Sequence, residues 1–214
     1  MKDEIEEELI NLTRILIEIP TENPPGNEKP CTEYIEEWFE ERNIDTTLVQ
    51  EPYLDRPQLI ARIGDGSPNI ILNGHIDVVP AGDHSEWEHS PFKAEKEDGK
   101  IYGRGACDMK ANVALAMVLA LVLKDQIKNG ELEGSLTVQI AIGEETGESG
   151  TKKLLEMSEG GDFGVVMEPT SMRTATAEKG LAWYEIEVEG KSSHASRPDE
   201  GDNPIVSFRP LLKM

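Results

Sequence analysis

Apolar positions recur at helical spacing from the start of the chain. Ile5, Leu9, Leu12, Leu16 and Ile19 fall on one stripe, which predicts an amphipathic helix over residues 3–19. Residues 20–30 are rich in Pro and read as a loop, and a second helix is expected over 32–42 around Tyr34, Ile35, Trp38 and Phe39. Residues 46–49 and 59–63 look like strands flanking a Pro-rich turn. Residues 69–73 form the short continuous apolar run expected of a strand buried on both faces. Residues 108–124 are rich in Ala, Leu, Val and Met without internal Gly or Pro, so a buried helix is predicted. Asp108 would stand at its N-terminus, where free backbone N–H groups favour a carboxylate. A strand over 135–142, a helix over 149–158 and an apolar strand over 163–167 follow. Alternation of strand and helix predicts an α/β fold, a mostly parallel sheet flanked by helices.

The pattern changes after Pro169. Residues 174–178 and 183–189 alternate like half-exposed antiparallel strands joined near Lys179-Gly180, and Asp202-Asn203-Pro204 opens a helix with Pro204 in its first turn. A domain boundary is placed near residue 171. There is no internal repeat and no low-complexity tract.

Composition narrows the class. The chain has 214 residues, 37% hydrophobic and 5% aromatic, which suits a soluble core. No apolar run approaches the roughly 20 residues of a membrane span, and the acidic start lacks a secretory signal core. Two cysteines, Cys31 and Cys107, give no disulfide framework, so a cytoplasmic location is the expectation. A net charge of -21 argues against nucleic acid and anionic membrane as partners. Most of these acids read as a solvated surface.

Some acids do not fit that surface reading. His75 and Asp77 close the segment Ile70-Ile-Leu-Asn-Gly-His75-Ile-Asp77, and Asp108 follows the Gly-rich turn Gly103-Arg-Gly-Ala-Cys. Glu144 and Glu145 follow the strand ending at Ile142, and Glu168 follows Val165-Val-Met. In parallel sheets, functional groups gather beyond the carboxyl ends of the strands, where His75, Glu144, Glu145 and Glu168 are expected. Imidazole plus carboxylates is a donor set for borderline divalent ions such as zinc. Such an ion lowers the pKa of bound water from 15.7 to about 7, and a second ion about 3.5–4 Å away can polarise a carbonyl. Asp108 suits a shared ligand. Glu144 and Glu145, if extended, point in different directions, so one can bind metal while the other acts as general base. Asp77 could accept the second N–H of His75 and fix its tautomer.

The strings NGHIDVVP, YGRGACDMK, GEETGESGT, MEPT and GKSSHASRPDEGDNPI together resemble the acetylornithine deacetylase, succinyl-diaminopimelate desuccinylase and carboxypeptidase G family of zinc hydrolases. The resemblance runs from the first helix to about Ile205. It implies two divalent metal ions, zinc first, with cobalt or manganese as alternatives. It implies that His75 and Glu168 complete one site, that Glu145 helps form the other, and that Asp108 bridges them. Asp77 would orient His75, and Glu144 would be the general base. His194 resembles the histidine of a smaller lid domain that contacts substrate and steadies the oxyanion. Residues 1–171 would then be the N-terminal part of a metal-binding catalytic domain and 172–214 the beginning of a lid or dimerisation domain. The substrate implied is a small N-acyl amino acid, and full-length relatives are implied to be homodimers.

Two departures stand out. Ala111 replaces the glycine that commonly follows DMK, and relatives are roughly twice this length, with a last zinc-binding histidine beyond His194. The expectation is therefore a truncated family member, with weak or absent activity for the chain as given. Two rival readings are a co-catalytic zinc aminopeptidase or dipeptidase and a non-catalytic remnant. His84 and His89 are expected on the surface and Cys107 as a small buried side chain. Gly147, Gly150 and Lys152 lack the spacing of a phosphate loop.

Overall fold

The computed structural model describes every residue except Met1, Glu159, Glu178, Trp183 and Met214. The chain forms two compact units, Met1–Arg173 and Thr174–Met214.

In the first unit, helices α1 (Lys2–Glu18) and α2 (Lys29–Glu41) precede strands β1 (Asp45–Val49), β2 (Gln58–Ile63) and β3 (Asn69–His75). A hairpin of β4 (Glu95–Glu97) and β5 (Lys100–Tyr102) leads to α3 (Ala111–Lys128), β6 (Ser135–Ala141), α4 (Gly150–Met157) and β7 (Phe163–Val166). The main sheet has the order β1-β2-β6-β3-β7. β3 pairs parallel with β6 and β7, while β2 runs antiparallel to both β1 and β6. Four strands therefore point one way and only β2 opposes them, as the α/β pattern predicts.

Alternation along β2 and β6 sorts the two faces. Leu59, Ala61, Ile63, Leu136, Val138 and Ile140 join Leu12 and Leu16 of α1, Ile35 and Phe39 of α2, and Met117 of α3 in the main core. The opposite face meets α4: Ile60, Val49 and Ala141 pack on Leu154. Its polar members are paired, with Asn73 Nδ2 donating to Gln139 (3.0 Å) and Gln139 Nε2 to Ser158 (2.8 Å). Hydrogen-bonded polar side chains can be buried at little cost.

Several boundaries differ from expectation. α2 begins at Lys29, inside the predicted loop, because Pro30 in the first turn loses no helical hydrogen bond. The β4–β5 hairpin was not anticipated; Asp98 and Gly99, at φ 49° and 73°, form its two-residue turn. α3 starts at Ala111 rather than Asp108, and the Ala106–Lys110 turn before it has non-helical backbone at Asp108 and Met109. Asp108 is thus held in a kinked turn, not at a helix N-terminus. Together, Ala106–Lys128 is long and apolar enough by composition to cross a membrane, contrary to the expectation of no such run. Its Val113, Ala114, Ala116, Met117, Val118 and Ala120 are instead buried in the core.

In the second unit, α5 (Pro204–Phe208) starts as predicted, with the Asn203 side chain accepting from Ile205 N–H at 3.0 Å. The expected strands over 174–178 and 183–189 include Glu178 and Trp183, which lie outside the described residues. Their described residues carry no strand pairing. An isolated two-stranded hairpin is marginal without a third strand or a packed helix.

Candidate metal centre

β3 delivers the imidazole to the carboxyl edge of the sheet. His75, its last residue, is 2% exposed. Its Nδ1 lies 2.9 Å from the backbone oxygen of Asp77 and 3.5 Å from Asp77 Oδ1. A backbone acceptor at Nδ1 puts the proton there and leaves Nε2 as the free donor atom for a cation. Around Nε2 stand Asp108 Oδ1 at 3.2 Å, Glu168 Oε1 at 3.7 Å and Glu144 Oε2 at 3.8 Å. His75, Asp108 and Glu145 each offer a ligand atom, all within 4.8 Å of one another.

Each acid arrives on a different element. The Ala106–Lys110 turn carries Asp108 and is anchored by its neighbours. Met109 is fully buried, and the Lys110 ammonium donates to the carbonyls of Leu16 (2.8 Å) and Ile19 (2.7 Å) at the end of α1. Burial pulls the Lys110 pKa below its ordinary value, against the charges of Cys31 and Asp77. The two glutamates follow β6 in a turn closed by Gly147 N–H to Glu144 O at 2.9 Å. The expectation that they are extended and point apart is therefore corrected, since in the turn both reach the same imidazole region. Glu168 follows β7, where Met167 N–H donates to Asn73 O (2.9 Å) and Asn112 Nδ2 donates to Met167 O (2.6 Å).

Asp77 is fully buried. Its carboxylate accepts from the backbone N–H of Glu144 (3.2 Å) and Glu145 (3.1 Å) and from Asn23 Nδ2 (3.2 Å). It therefore fixes the glutamate turn as well as facing the imidazole.

The charges are mutually adjusted. Burial works to lower the His75 pKa, but the hydrogen bond and charge of Asp77, with Glu168 and Glu144, push it up to about 9. Burial raises Glu145, helped by the charge of Asp108. Burial likewise raises Glu168 and is opposed by His75, while Asp108, Glu144 and Glu145 add to the rise. Carboxylates crowded at one rim disfavour their own ionisation, and a cation among them relieves that repulsion.

The donor set fits a divalent metal. Two ligand atoms about 2.1 Å from one tetrahedral ion are about 3.4 Å apart. The separations of His75 Nε2 from Asp108 and Glu168, 3.2 and 3.7 Å, bracket that value. The side chains of Asp108 and Glu144 are 55% and 52% exposed, so solvent reaches the site.

Six of the seven expected side chains, His75, Asp77, Asp108, Glu144, Glu145 and Glu168, thus converge. His194 lies in the second unit, exposed, its Nδ1 accepting from Ser196 N–H at 3.2 Å. His84 is exposed as expected. His89 is not a free surface residue: its ring stacks on Tyr102 at 3.9 Å and contacts Glu95 (3.0 Å) and Glu97 (3.6 Å). Cys107, expected to be buried, is exposed, because the kinked turn buries Met109 and Lys110 instead. Sequence reasoning also missed Asn23 and Lys110, both buried polar side chains whose partners are distant in sequence.

A mostly parallel sheet with one imidazole and four carboxylates gathered near its carboxyl edge makes an α/β fold with a candidate divalent-cation site. The profile of Peptidase family M20/M25/M40 matches residues 71–208, and the chain belongs to that family. A probable succinyl-diaminopimelate desuccinylase of Staphylococcus epidermidis is 34% identical over 202 residues, covering 94% of this chain and 49% of the relative. The chain therefore spans about half the length of that curated relative. Among solved structures, a tripeptidase of Staphylococcus aureus aligns with a TM-score of 0.63 at 24% identity, over 98% of this chain and 56% of that one. A dinuclear metal-binding M20-family peptidase of Bacillus subtilis aligns with a TM-score of 0.51 at 28% identity, over 73% of this chain and 40% of that one.

Proposed function

We propose that the chain carries the metal-binding part of an amidohydrolase that releases a free amine and a carboxylate from a small N-acyl amino acid. One observation carries this reading: a single buried imidazole whose free nitrogen faces Asp108, Glu168 and Glu144 at 3.2–3.8 Å. His75 and Glu168 would hold one divalent ion and Glu145 the other, with Asp108 shared. The dinuclear metal-binding relative supports a pair of ions, and the mixed N and O donors favour zinc, with cobalt and manganese as substitutes. When bound, the ions supply Lewis acidity, acidifying water and polarising the scissile carbonyl.

The chain's own groups supply the rest. Glu144, exposed and not otherwise bonded through its carboxylate among the described contacts, is the general base. It takes a proton from water as the new C–O bond forms and returns it to the nitrogen as the C–N bond breaks. Asp77 positions His75 and, through the two backbone N–H groups, the Glu144–Glu145 turn. His194 of the second unit, the proposed start of a lid and dimerisation domain, is assigned to substrate contact. The similarity to a desuccinylase favours an N-succinyl diamino acid as substrate, and N-acetylornithine is the alternative suggested by the sequence motifs.

The test compares release of amine from N-succinyl-diaminopimelate and N-acetylornithine by the zinc-loaded protein at full family length. Glu144→Gln should abolish turnover while zinc content stays near two per chain. Zinc below one per chain would sink the proposal. The peptidase neighbours favour a second reading, cleavage of unblocked di- or tripeptides. Turnover of those substrates alone would select it.

A further inference from the structure

An ion triad with one fully buried and two half-buried members lies beside the candidate metal centre. Glu28 is 0% exposed, and Arg56 grips it with two hydrogen bonds, Nη2 to Oε1 at 2.6 Å and Nε to Oε2 at 2.8 Å. The same guanidinium turns its remaining edge to Glu148, with Nη1 3.0 and 3.2 Å from the two carboxylate oxygens. Arg56 also lies over the Tyr53 ring at 4.8 Å. Neither loop sequence would place a triad here, because its members are 28 and 92 residues apart. A buried carboxylate is costly unless paired, and a planar guanidinium serving two carboxylates holds both at fixed angles.

Glu148 is the arm that reaches the site. It accepts from Thr146 Oγ1 (2.8 Å) and Asn23 Nδ2 (3.4 Å), and the same amide nitrogen donates to Thr146 (2.9 Å) and Asp77 (3.2 Å). Asn23 is itself 3% exposed and fixed by its backbone N–H to Val78 O at 2.9 Å. Gly143 completes the fit: at φ 76°, a Cβ there would stand 2.5 Å from the Cβ of Glu148. The loop can therefore fold back on Glu148 only with glycine at that position.

We propose that the Glu28–Arg56–Glu148 triad is a positioning device for the metal centre, acting through Asn23 and Asp77 on the Glu144–Glu145 turn. The inference rests on the reading of that turn as a metal-binding element. Such supporting groups act by holding ligands at the angle a cation needs, and losing one weakens metal binding by about 10–100-fold.

The test uses Co²⁺ as probe on the whole 214-residue chain, with affinity and visible absorption measured beside the thermal midpoint. Glu148→Leu keeps the buried Glu28–Arg56 pair and cuts only the link to the turn. Asn23→Ala cuts the next link. Both should weaken Co²⁺ binding at least tenfold and change its absorption spectrum at temperatures where the variants remain folded. Lys153→Met is the control. It removes the Lys153–Glu51 contact at 2.6 Å, which ties α4 to the segment bearing Arg56 without reaching the turn, and should leave Co²⁺ affinity unchanged. Wild-type affinity and spectrum in folded Glu148→Leu and Asn23→Ala would overturn the inference, as would an equal loss in Lys153→Met. Failure of the unaltered chain to bind Co²⁺ at all would instead strike the underlying metal-centre reading.

Discussion

Side chains that end an apolar run are the ones a sequence reveals. His75 and Glu145 stand out because each follows a strand end buried in the core, so a polar group there needs a reason, and Glu168 stands out because it closes an apolar run. Arg56, Glu28 and Asn23 gave no such signal, since they sit in polar loops and find their partners across the fold. Two residue-level predictions follow from these surroundings. Burial pushes the Cys31 thiol up to about 11, partly opposed by Lys110, whereas Cys107 is exposed. Iodoacetamide at pH 8 should therefore label one thiol per native chain, Cys107, and two after denaturation. Mass spectrometry of the labelled peptides checks the assignment, and rapid native labelling of Cys31 would contradict it. Glu148 concerns acid stability. Burial works to raise its pKa, but hydrogen bonds from Thr146 and Arg56 outweigh that and hold it below the usual carboxylate range. A lowered folded-state pKa stabilises above the ordinary value of about 4.3 and loses that effect as pH falls through the folded value. Glu148→Gln should thus be less stable than the parent at pH 7, with the gap closing below about pH 4. Urea midpoints across pH 3–7 measure it, and a gap that widens in acid would refute the assignment.

Elements were legible where hydrophobic period and length agreed. The helices over 3–19 and 149–158 and the strands of the main sheet lie within a few residues of expectation, and for β2 and β6 the pattern matches the faces they bury; β7 keeps its predicted place although its apolar residues are exposed. α3 is apolar all round, so periodicity could not locate its start, and a kinked turn governed by Met109 and Lys110 took the place of its first residues. The β4–β5 hairpin was readable from Asp98-Gly99 but has only exposed or half-buried residues, hence no apolar alternation. In the second unit, alternation over 174–178 and 183–189 was present, but the described residues there carry no strand pairing. The packing of α3 can be tested directly. Met117 is fully buried between this helix and the rest of the core. Met117→Ala should destabilise the first unit by about 2–5 kcal/mol, read as a lower denaturant midpoint with an unchanged slope. A loss under 1 kcal/mol would mean that α3 is loosely seated.

At the scale of the molecule, an excess of 21 negative charges and a rim of four carboxylates raise the same question, whether a cation acts generally or at one place. General screening lessens self-repulsion in any acidic chain and depends on ionic strength alone. A site that binds only the folded state adds a separate term, about 2.7 kcal/mol when free cation is a hundred times its dissociation constant. For a unit of this size that corresponds to a rise in thermal midpoint of about 5–10 °C. Co²⁺ or Zn²⁺ at micromolar concentration should therefore raise the midpoint where NaCl of equal ionic strength does nothing. Mg²⁺ should do less than either, since it favours all-oxygen octahedral sites and gains little from an imidazole. His75→Ala separates the two effects within one chain. It should abolish the response to micromolar Co²⁺ and preserve the response to molar NaCl, because it deletes one donor atom and leaves the acidic surface as it was. If Co²⁺ still stabilised His75→Ala as strongly as the parent, the cation would be acting on the diffuse charge, and the convergence of carboxylates on that imidazole would have no bearing on metal.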